Sequence, residues 1–372
     1  MKVAFRADAS LQIGTGHVMR CLTLADALTA RGAECVFICR SHAGNLLDLI
    51  RSRGYTAHAL PDWQPPTGAG TRQPANEGAP AHSHWLNATQ GEDAGACATI
   101  LAQLQPDWLI VDHYALDARW EQALKPYYRK LLVIDDLADR AHACDLLLDQ
   151  TFGRQAQDYR SRVPADCQLL CGSQYALLRP EFAALRPYSL QRRSEPRLRH
   201  LLITMGGVDK DNATGQVLAA LRQSALPDDC RITVVMGSTA PWLVEVERLA
   251  QDMPWPTQVR VGVSDMAQLM ADSDLAIGAA GATSWERCCL GLPTAMMVLA
   301  ENQIYAARLL EKAGAVQTLS SASDFVAQLQ AFIYQVNSDS SEMKKLIASA
   351  SEITDGYGCE RVTDRLISGA LK

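Results

Sequence analysis

The sequence lacks the features that are typical of membrane, secreted and nucleic-acid-binding proteins. No stretch approaches the roughly 18 uninterrupted apolar residues that a membrane-spanning helix needs. Lys and Arg number 35 against 41 Asp and Glu, a net charge of −6, so a surface that neutralises nucleic-acid phosphates is not expected. Arg6 and Asp8 interrupt the only apolar stretch near the N-terminus, so no signal peptide is predicted. We expect a cytoplasmic protein that binds neither nucleic acid nor membranes.

The motifs of several enzyme classes are also missing. The chain has no HExxH, no GxxxxGK[ST] and no GxSxG, the patterns of zinc proteases, P-loop nucleotidases and α/β-hydrolases. Its eleven cysteines are odd in number and scattered, and no two form a CxxC pair. A complete disulfide framework is therefore excluded, and reduced thiols are expected. The sequence favours a reaction without a metal or another cofactor.

Short β-type runs alternate with amphipathic segments of helical length along most of the 372 residues. This alternation predicts parallel α/β sheets, and the length predicts two to three domains. The predicted strands are residues 3–7, 35–39, 108–112, 131–135 and 145–149, followed by 200–206, 231–237, 259–263, 275–279 and 294–298.

Two stretches interrupt this alternation. Residues 183–198 are polar and rich in arginine, which predicts a linker between a Rossmann-like domain at 1–185 and a second at 199–372. Residues 61–96 contain ten glycines and prolines and no hydrophobic period. We interpret them as a mobile surface insertion, and we expect activity to survive deletion of residues 65–92.

The loop after the first strand has the pattern GxGH, formed by Gly14, Gly16 and His17. Ligands of open parallel sheets bind beyond the carboxyl ends of the strands, and the field of a helix N-terminus favours a neutral histidine that can accept a proton. A simpler alternative is that the glycines only shape a turn and His17 caps the helix. Arg6 and Asp8, at the end of the same strand, are candidate substrate-binding residues.

Two further strand ends in the first half carry polar side chains. Tyr114, next to His113, could contact a sugar or could simply be a partly exposed aromatic residue. The adjacent acids Asp135 and Asp136 could hold a metal or act as acid and base. Their more common role is to cap a loop, and the pattern favours that interpretation.

In the second half, Gly206 and Gly207 follow a strand and precede a helix, where backbone N–H groups can cradle an anion. Asn302 and Gln303 follow a later strand and offer donors and acceptors for amide or hydroxyl groups.

The loop that begins at Gly281 is predicted to hold a diphosphate. Thr283 or Ser284 can cap the following helix, and Glu286, about one turn in, can reach a ribose diol. Glu286 could equally complement the helix dipole or close a capping box.

Seven segments taken together resemble a known family. They are residues 5–25, 111–117, 134–150, 171–182, 205–212, 278–286 and 301–303. In that order they resemble the UDP-sugar hydrolases of pseudaminic acid biosynthesis, which cleave UDP-2,4-diacetamido-2,4,6-trideoxy-β-L-altropyranose to UDP and the free sugar. The combination of GTGHVMR, YALLRPEF and ENQ carries the resemblance. The main departure is at 61–96, where the family's chain is usually shorter.

The resemblance implies two Rossmann-like domains of glycosyltransferase-B type, facing each other across a catalytic cleft. It implies that His17 is a general base that activates water to attack the anomeric carbon with inversion and without a metal. Asn302 would share this site, and Tyr114 would lie on the sugar side. By likeness to transferases of this fold, Glu286 would bind ribose.

Three other functions remain open from the sequence. A hydrolase with the same loops could act on a related nucleotide sugar. A glycosyltransferase would use the same UDP-sugar donor and pass the sugar to a hydroxyl group instead of water. A nucleotide-sugar-binding protein would bind UDP without turnover. In each case the partner is a small molecule, and a monomer is expected.

Overall fold

The computed structural model describes residues 1–61, 80–238, 240–320 and 324–370. Its internal contacts separate the chain into two units. Unit 1 is Met1–Leu177 together with Cys359–Lys372, and unit 2 is Leu178–Gly358. No helix within the described ranges is long and apolar enough to cross a membrane.

Unit 1 contains a parallel sheet of seven strands. The strands are β1 (Lys2–Ala7), β2 (Glu34–Arg40), β3 (Thr56–Leu60), β4 (Trp108–Asp112), β5 (Lys130–Ile134), β6 (Leu146–Asp149) and β7 (Gln168–Cys171). Their order is β3-β2-β1-β4-β5-β6-β7, and all neighbours are parallel. The five strands predicted in this half are confirmed. The sequence analysis missed β3 and β7, because these edge strands are partly exposed and lack a continuous apolar run.

Helices cover the sheet of unit 1 and bury its apolar side chains. They are α1 (Gly16–Ala30), α2 (Leu47–Ser52), α3 (Gln90–Leu104) and α4 (Ala118–Leu124). Short 3-10 turns lie at Ser83–Leu86, Lys125–Tyr127, Ala156–Asp158 and Ser173–Tyr175. Helix α1 is amphipathic, since Val18, Leu22 and Leu28 lie in the core of this unit.

The predicted surface insertion at 61–96 is wrong in its second part. Residues 62–79 lie outside the described residues, but a 3-10 turn and the start of α3 occupy 83–96. Thr89 caps α3: its Oγ1 accepts the N–H of Glu92, and Glu92 accepts the N–H of Thr89. This capping box is visible in the sequence as T-x-x-E. The abundance of glycine and proline nearby concealed it.

Unit 2 contains a parallel sheet of six strands. The strands are β8 (His200–Thr204), β9 (Arg231–Met236), β10 (Thr257–Val261), β11 (Leu275–Ala279), β12 (Thr294–Met297) and β13 (Gln317–Leu319). Their order is β10-β9-β8-β11-β12-β13. The helices are α5 (Pro180–Arg192), α6 (Ala213–Leu221), α7 (Leu243–Gln251), α8 (Met266–Asp272), α9 (Thr283–Cys289), α10 (Ile304–Lys312), α11 (Phe325–Ser338) and α12 (Ser340–Ser351), and a 3-10 turn lies at Glu301–Gln303. The five predicted strands are confirmed, and only the short β13 was missed.

The stretch predicted as a linker at 183–198 is instead largely helix α5 of unit 2. This stretch is not a solvated tether, because the guanidinium groups of two of its arginines donate to buried carbonyl oxygens. Arg186 donates to Cys289 O at 2.5 Å and Arg193 to Ser273 O at 2.6 Å. Unit 2 therefore begins at Leu178 rather than at residue 199.

The C-terminal helix α13 (Gly358–Ala370) corrects the other boundary. Residues 199–372 were predicted to form one domain, but Cys359–Lys372 belongs to unit 1. Val362 and Leu366 are fully buried in the core of unit 1, and Trp108 Nε1 donates to Leu366 O at 3.1 Å. Its amphipathic sequence does not reveal which sheet the helix covers.

Both sheets have the strand order of Rossmann-like folds. The chain first adds strands on one side of its first strand and then on the other, so the strand order reverses beside that first strand. The reversal lies between β1 and β4 in unit 1 and between β8 and β11 in unit 2. In unit 1 the strand ends are level, because Ala7 pairs with Asp112. The loops that follow these four strands contain most of the candidate site residues.

Candidate active site

His17 lies in the first turn of α1, buried against the end of β4. Its Nδ1 is 2.5 Å from Oδ1 of Asp112. The carboxylate accepts a hydrogen bond from the Nδ1–H group, so the lone pair lies on Nε2. No hydrogen bond to Nε2 is seen in the described part of the chain. His17 thus does not cap the helix. A histidine oriented in this way by a buried carboxylate can act as a general base.

The glycines before His17 shape the turn that brings α1 to this position. Gly14 has a φ of +78°, a conformation that favours glycine, and its N–H donates to Ser10 O at 2.8 Å. Gly16 is the first residue of α1, and a Cβ there would meet no atom within 4 Å. The loop therefore leaves open space beside the start of the helix.

Arg20 lies one helical turn after His17 and contacts the same carboxylate. Its Nε and Nη2 donate to the two oxygens of Asp112 at 2.6 and 2.7 Å, and its Nη1 donates to Asp136 Oδ2 at 2.7 Å. Burial alone would raise the pKa of Asp112, but the charge of Arg20 and the hydrogen bonds from Arg20 and His17 hold that pKa well below its usual value. Asp112 is therefore ionised at neutral pH.

Aromatic rings surround one side of His17. The ring of Tyr114 meets it edge-on at 4.6 Å between centroids, and Trp85 stacks on Tyr114 at 5.6 Å. His82 packs against Trp85 at 4.4 Å. The Tyr114 hydroxyl donates to Asp136 Oδ2 at 2.6 Å, so the phenol has a fixed orientation. Tyr114 is buried beside the histidine and is not an exposed loop residue.

Arg6 and Asp8 were predicted to bind substrate, but the structure places both in the interior. Each is fully buried. Arg6 donates to Asp8 at 2.5 Å and to Asp93 at 2.7 Å, and Arg40 donates to Asp93 at 2.5 Å. His113 Nε2 is 3.1 Å from the second oxygen of Asp8. Arg6 and Arg40 form buried ion pairs with Asp8 and Asp93 beneath the loop that follows β1, so direct contact with a ligand is not supported.

The adjacent acids Asp135 and Asp136 have different surroundings. Asp135 is fully buried, accepts the N–H of Ala138 at 2.9 Å and pairs with Arg140 at 2.8 Å, as expected of a loop-capping group. Asp136 retains some exposure and joins the group around His17 through Arg20. The two side chains therefore have separate roles.

In unit 2, Gly206 and Gly207 follow β8 as predicted. Gly206 has a φ of +93° and is exposed, and nothing lies within 4 Å of where its Cβ would be. The side chain of Asp209 accepts the N–H groups of Ala213 and Thr214, at 2.8 and 2.9 Å. The carboxylate thus takes up two donors in the first turn of α6, which leaves the glycine backbone as the open part of this loop.

The loop between β11 and α9 differs from the prediction. Neither Thr283 nor Ser284 caps α9; instead both side-chain oxygens accept from Arg287, at 3.2 Å each. Arg287 also donates to Ala279 O at 2.7 Å and is fully buried. No carboxylate of a described residue forms an ion pair with it. A buried cation thus lies beneath the loop that begins at Gly281.

Glu286 is half-buried in the same helix. Its carboxyl group makes no hydrogen bond within the described residues, so it does not close the capping box considered from the sequence. Burial raises its pKa to about 7, against the opposing charges of Arg179 and Arg287. A carboxyl group with unused acceptors is suited to bind a diol.

Asn302 and Gln303 lie in the 3-10 turn after β12 and are both half-buried. Gln303 Oε1 accepts the N–H of Leu299 at 2.9 Å, so this side chain supports its own loop. The side chain of Asn302 makes no hydrogen bond to another described residue. Asn302 therefore stays a candidate for ligand contact.

The sequence analysis did not assign Asp112, Arg20 and Trp85 to the site. Arg20 could have been found from its spacing, because residues three apart share one face of a helix. Trp85 could not, because its stacking on Tyr114 is a tertiary contact that no local pattern records. In the described ranges, no group of three or more His, Cys, Asp or Glu side chains is arranged to hold a metal ion.

The two Rossmann-like sheets define a fold of the glycosyltransferase-B type, which confirms that prediction. Residues 200–356 match the glycosyltransferase family 28 C-terminal domain. The fold is similar to that of MurG from Acinetobacter baumannii, with a TM-score of 0.69, 16% identity and 99% coverage of both chains. It is also similar to CalG4, the calicheamicin glycosyltransferase, with a TM-score of 0.58, 13% identity and coverage of 100% of this chain and 98% of that one.

Among curated proteins, the chain is similar to the UDP-2,4-diacetamido-2,4,6-trideoxy-β-L-altropyranose hydrolase of Campylobacter jejuni. The two are 27% identical over 315 residues, which cover 84% of this chain and 97% of the hydrolase. This similarity confirms the resemblance predicted from the motifs. The chain is also 31% identical over 212 residues to the spore coat polysaccharide biosynthesis protein SpsG of Bacillus subtilis, which covers 55% of this chain and 60% of SpsG.

Proposed function

We propose that this protein is a nucleotide-sugar hydrolase that converts UDP-2,4-diacetamido-2,4,6-trideoxy-β-L-altropyranose to UDP and the free sugar. The observation that carries the proposal is the pairing of His17 with Asp112, which orients a histidine as a base at the carboxyl edge of a Rossmann-like sheet. The similarity to a hydrolase of this substrate along 97% of that enzyme's length supports the choice of substrate.

In the proposed reaction, Nε2 of His17 removes a proton from water while the water oxygen attacks the anomeric carbon. The bond from that carbon to the diphosphate oxygen breaks, and its electron pair leaves with UDP. Attack from the face opposite UDP inverts the anomeric configuration. A positioned general base contributes about 10²–10⁴-fold to the rate. Because the diphosphate is already a good leaving group, the step needs no metal.

We assign the nucleotide to unit 2. The Glu286 carboxyl would accept hydrogen bonds from the ribose hydroxyls. The backbone at Gly206–Gly207 and the loop at 281–284 would face the diphosphate. Asn302 and Tyr114 are proposed to contact the sugar. The charge of Arg287 beneath the loop favours an anion there, since a buried cation without a carboxylate partner lacks compensation.

The test compares His17→Asn with His58→Asn, which alters a half-buried histidine on the edge strand β3. We expect His17→Asn to abolish UDP release, as measured by ³¹P NMR. The UDP affinity of this variant, measured by calorimetry, should stay unchanged. His58→Asn should hydrolyse normally, and wild-type activity should persist in EDTA. Normal turnover by His17→Asn would refute the assignment of the base. Hydrolysis in ¹⁸O-water should place the label in the sugar; label in UDP would refute attack at carbon.

The glycosyltransferase family 28 domain favours a second candidate, a transferase that passes the sugar to a hydroxyl acceptor. Incubation with the UDP-sugar and no acceptor separates the two. Stoichiometric release of UDP and free sugar supports the hydrolase. Release that begins only when an acceptor is added would support the transferase.

A further inference from the structure

The role of Arg20 is not explained by the steps above. His17 and Arg20 are three residues apart on α1, so their side chains leave the helix on the same face. Both contact one carboxylate: His17 holds Oδ1 of Asp112, and Arg20 donates to Oδ1 and Oδ2. The side chains of Arg20 and Asp112 are almost completely buried. The fixed fork of a guanidinium suits two-point contact with a carboxylate.

A buried carboxylate has two opposite effects on a histidine base. By accepting a hydrogen bond from Nδ1–H, it selects the tautomer that has a free lone pair on Nε2. As an uncompensated charge it would also stabilise the imidazolium relative to the neutral imidazole. An imidazolium has no lone pair to accept a proton from water. The carboxylate must therefore orient the imidazole without stabilising the imidazolium.

We propose that the charge of Arg20 neutralises Asp112, so that the carboxylate orients His17 without stabilising a proton on Nε2. Arg20 is thus a positioning residue that acts through Asp112. The inference rests on the proposed function only in that Nε2 of His17 is the base.

The other groups around His17 do not replace this charge. Tyr114 and Trp85 are uncharged, and the His82 pKa is lowered by its burial, so that ring is neutral. Asp136 adds a negative charge that Arg20 also contacts.

More distant charges are balanced by their own neighbours. Arg140 lies over the Tyr114 ring at 5.8 Å and pairs with Asp135. Burial lowers the pKa of His113, which faces Asp8. Arg20 is therefore the cation that directly contacts the Asp112 carboxylate among the described residues.

The test measures His17 directly by NMR titration of ¹⁵N-histidine-labelled protein, with the resonance assigned by its loss in His17→Asn. Arg20→Gln removes the charge and keeps a hydrogen-bond donor. Arg20→Lys retains the charge and is the first control. Arg140→Gln, which removes a nearby buried cation that does not contact Asp112, is the matched second control.

We expect Arg20→Gln to move the titration of His17 to higher pH by about one to two units, a usual effect of one charge on a neighbouring titratable group. Arg20→Lys and Arg140→Gln should shift it by much less. The acid limb of the kcat/KM profile should move to higher pH by the same amount in Arg20→Gln. An unchanged or lowered His17 pKa in folded Arg20→Gln would overturn the proposal.

A second variant covers the case in which Arg20→Gln does not fold. Arg20→Gln combined with Asp136→Asn keeps the local net charge of the wild type, yet still leaves Asp112 without its cation. Its His17 pKa should also rise, and no rise would overturn the proposal. Because the titration needs no turnover, absence of hydrolysis by the wild type would reject the proposed function and would leave this measurement interpretable.

Discussion

The Glu286 carboxyl gives a prediction with two independent measurements. Replacement by glutamine keeps the shape of the side chain and removes its charge. Because burial raises the pKa of Glu286 to about 7 from an ordinary value of 4.5, the native state binds this proton more tightly than the unfolded state does. This group therefore makes the wild type lose stability as pH rises from 4.5 to 7. Glu286→Gln lacks this contribution to the pH dependence of its stability.

The magnitude follows from the shift. A difference of 2.5 pKa units corresponds to at most about 3.4 kcal/mol. Since the side chain is only half-buried, we expect about 1–2 kcal/mol. Glu286→Gln should thus equal the wild type near pH 4.5 and exceed its unfolding free energy by this amount at pH 8. Other groups that titrate in this range, such as Asp149, whose pKa burial raises to about 7, are common to both proteins.

Nucleotide binding should change in the opposite direction. If the ionised carboxylate accepts the ribose hydroxyls, Glu286→Gln should lose about 2 kcal/mol of UDP affinity, or roughly thirty-fold. Wild-type affinity should fall about fivefold between pH 7 and pH 6, as the carboxylate becomes protonated. The variant should lack this component, while titration of the UDP phosphate affects both proteins alike.

Urea unfolding at pH 4.5 and 8, with calorimetry of UDP binding at pH 6, 7 and 8, measures both effects. A stability difference that is the same at both pH values would refute the raised pKa. Unchanged UDP affinity in a variant that shows the stability effect would refute the ribose contact and leave the burial argument intact.

Two further predictions concern unit 1. Trp85→Ala should remove the stacking on Tyr114 beside His17 and lower kcat/KM by up to about tenfold, with UDP affinity unchanged in calorimetry. An undiminished kcat/KM would show that the 83–86 turn is not part of the site. That result would agree with the deletion tolerance expected from the sequence. Deletion of residues 359–372 removes two fully buried side chains, each worth about 2–5 kcal/mol, and should unfold unit 1 at room temperature, as followed by circular dichroism and limited proteolysis. A truncated chain with the wild-type Tm would contradict the assignment of α13 to that core.

The sheets were predictable because continuous apolar runs identify buried parallel strands. Every predicted strand is present, and the missed strands β3, β7 and β13 are short strands at the edges of the sheets. Boundaries were less predictable. Residues 183–198 have the composition of a linker, and only the carbonyl partners of Arg186 and Arg193 show that this stretch packs within unit 2.

The candidate site was predictable in part. The GxGH pattern identified His17 because its meaning is local: a turn followed by a helix N-terminus. Arg6 and Asp8 have equally suggestive positions at a strand end, yet both are buried, and Arg6 forms ion pairs with Asp8 and Asp93. Side chains at a strand end can point to the interior or to a ligand, and the sequence does not distinguish these directions.

The sequence by itself determined the fold class, the resemblance to a UDP-sugar hydrolase and the position of His17 along the chain, because periodicity, turn residues and contiguous motifs are local properties. Only the tertiary structure decided what surrounds that histidine. Asp112 lies 95 residues from His17 along the chain, and Trp85 stacks on Tyr114 from the 3-10 turn that precedes α3. Such partners are selected by burial and charge compensation in three dimensions, and no local pattern records them.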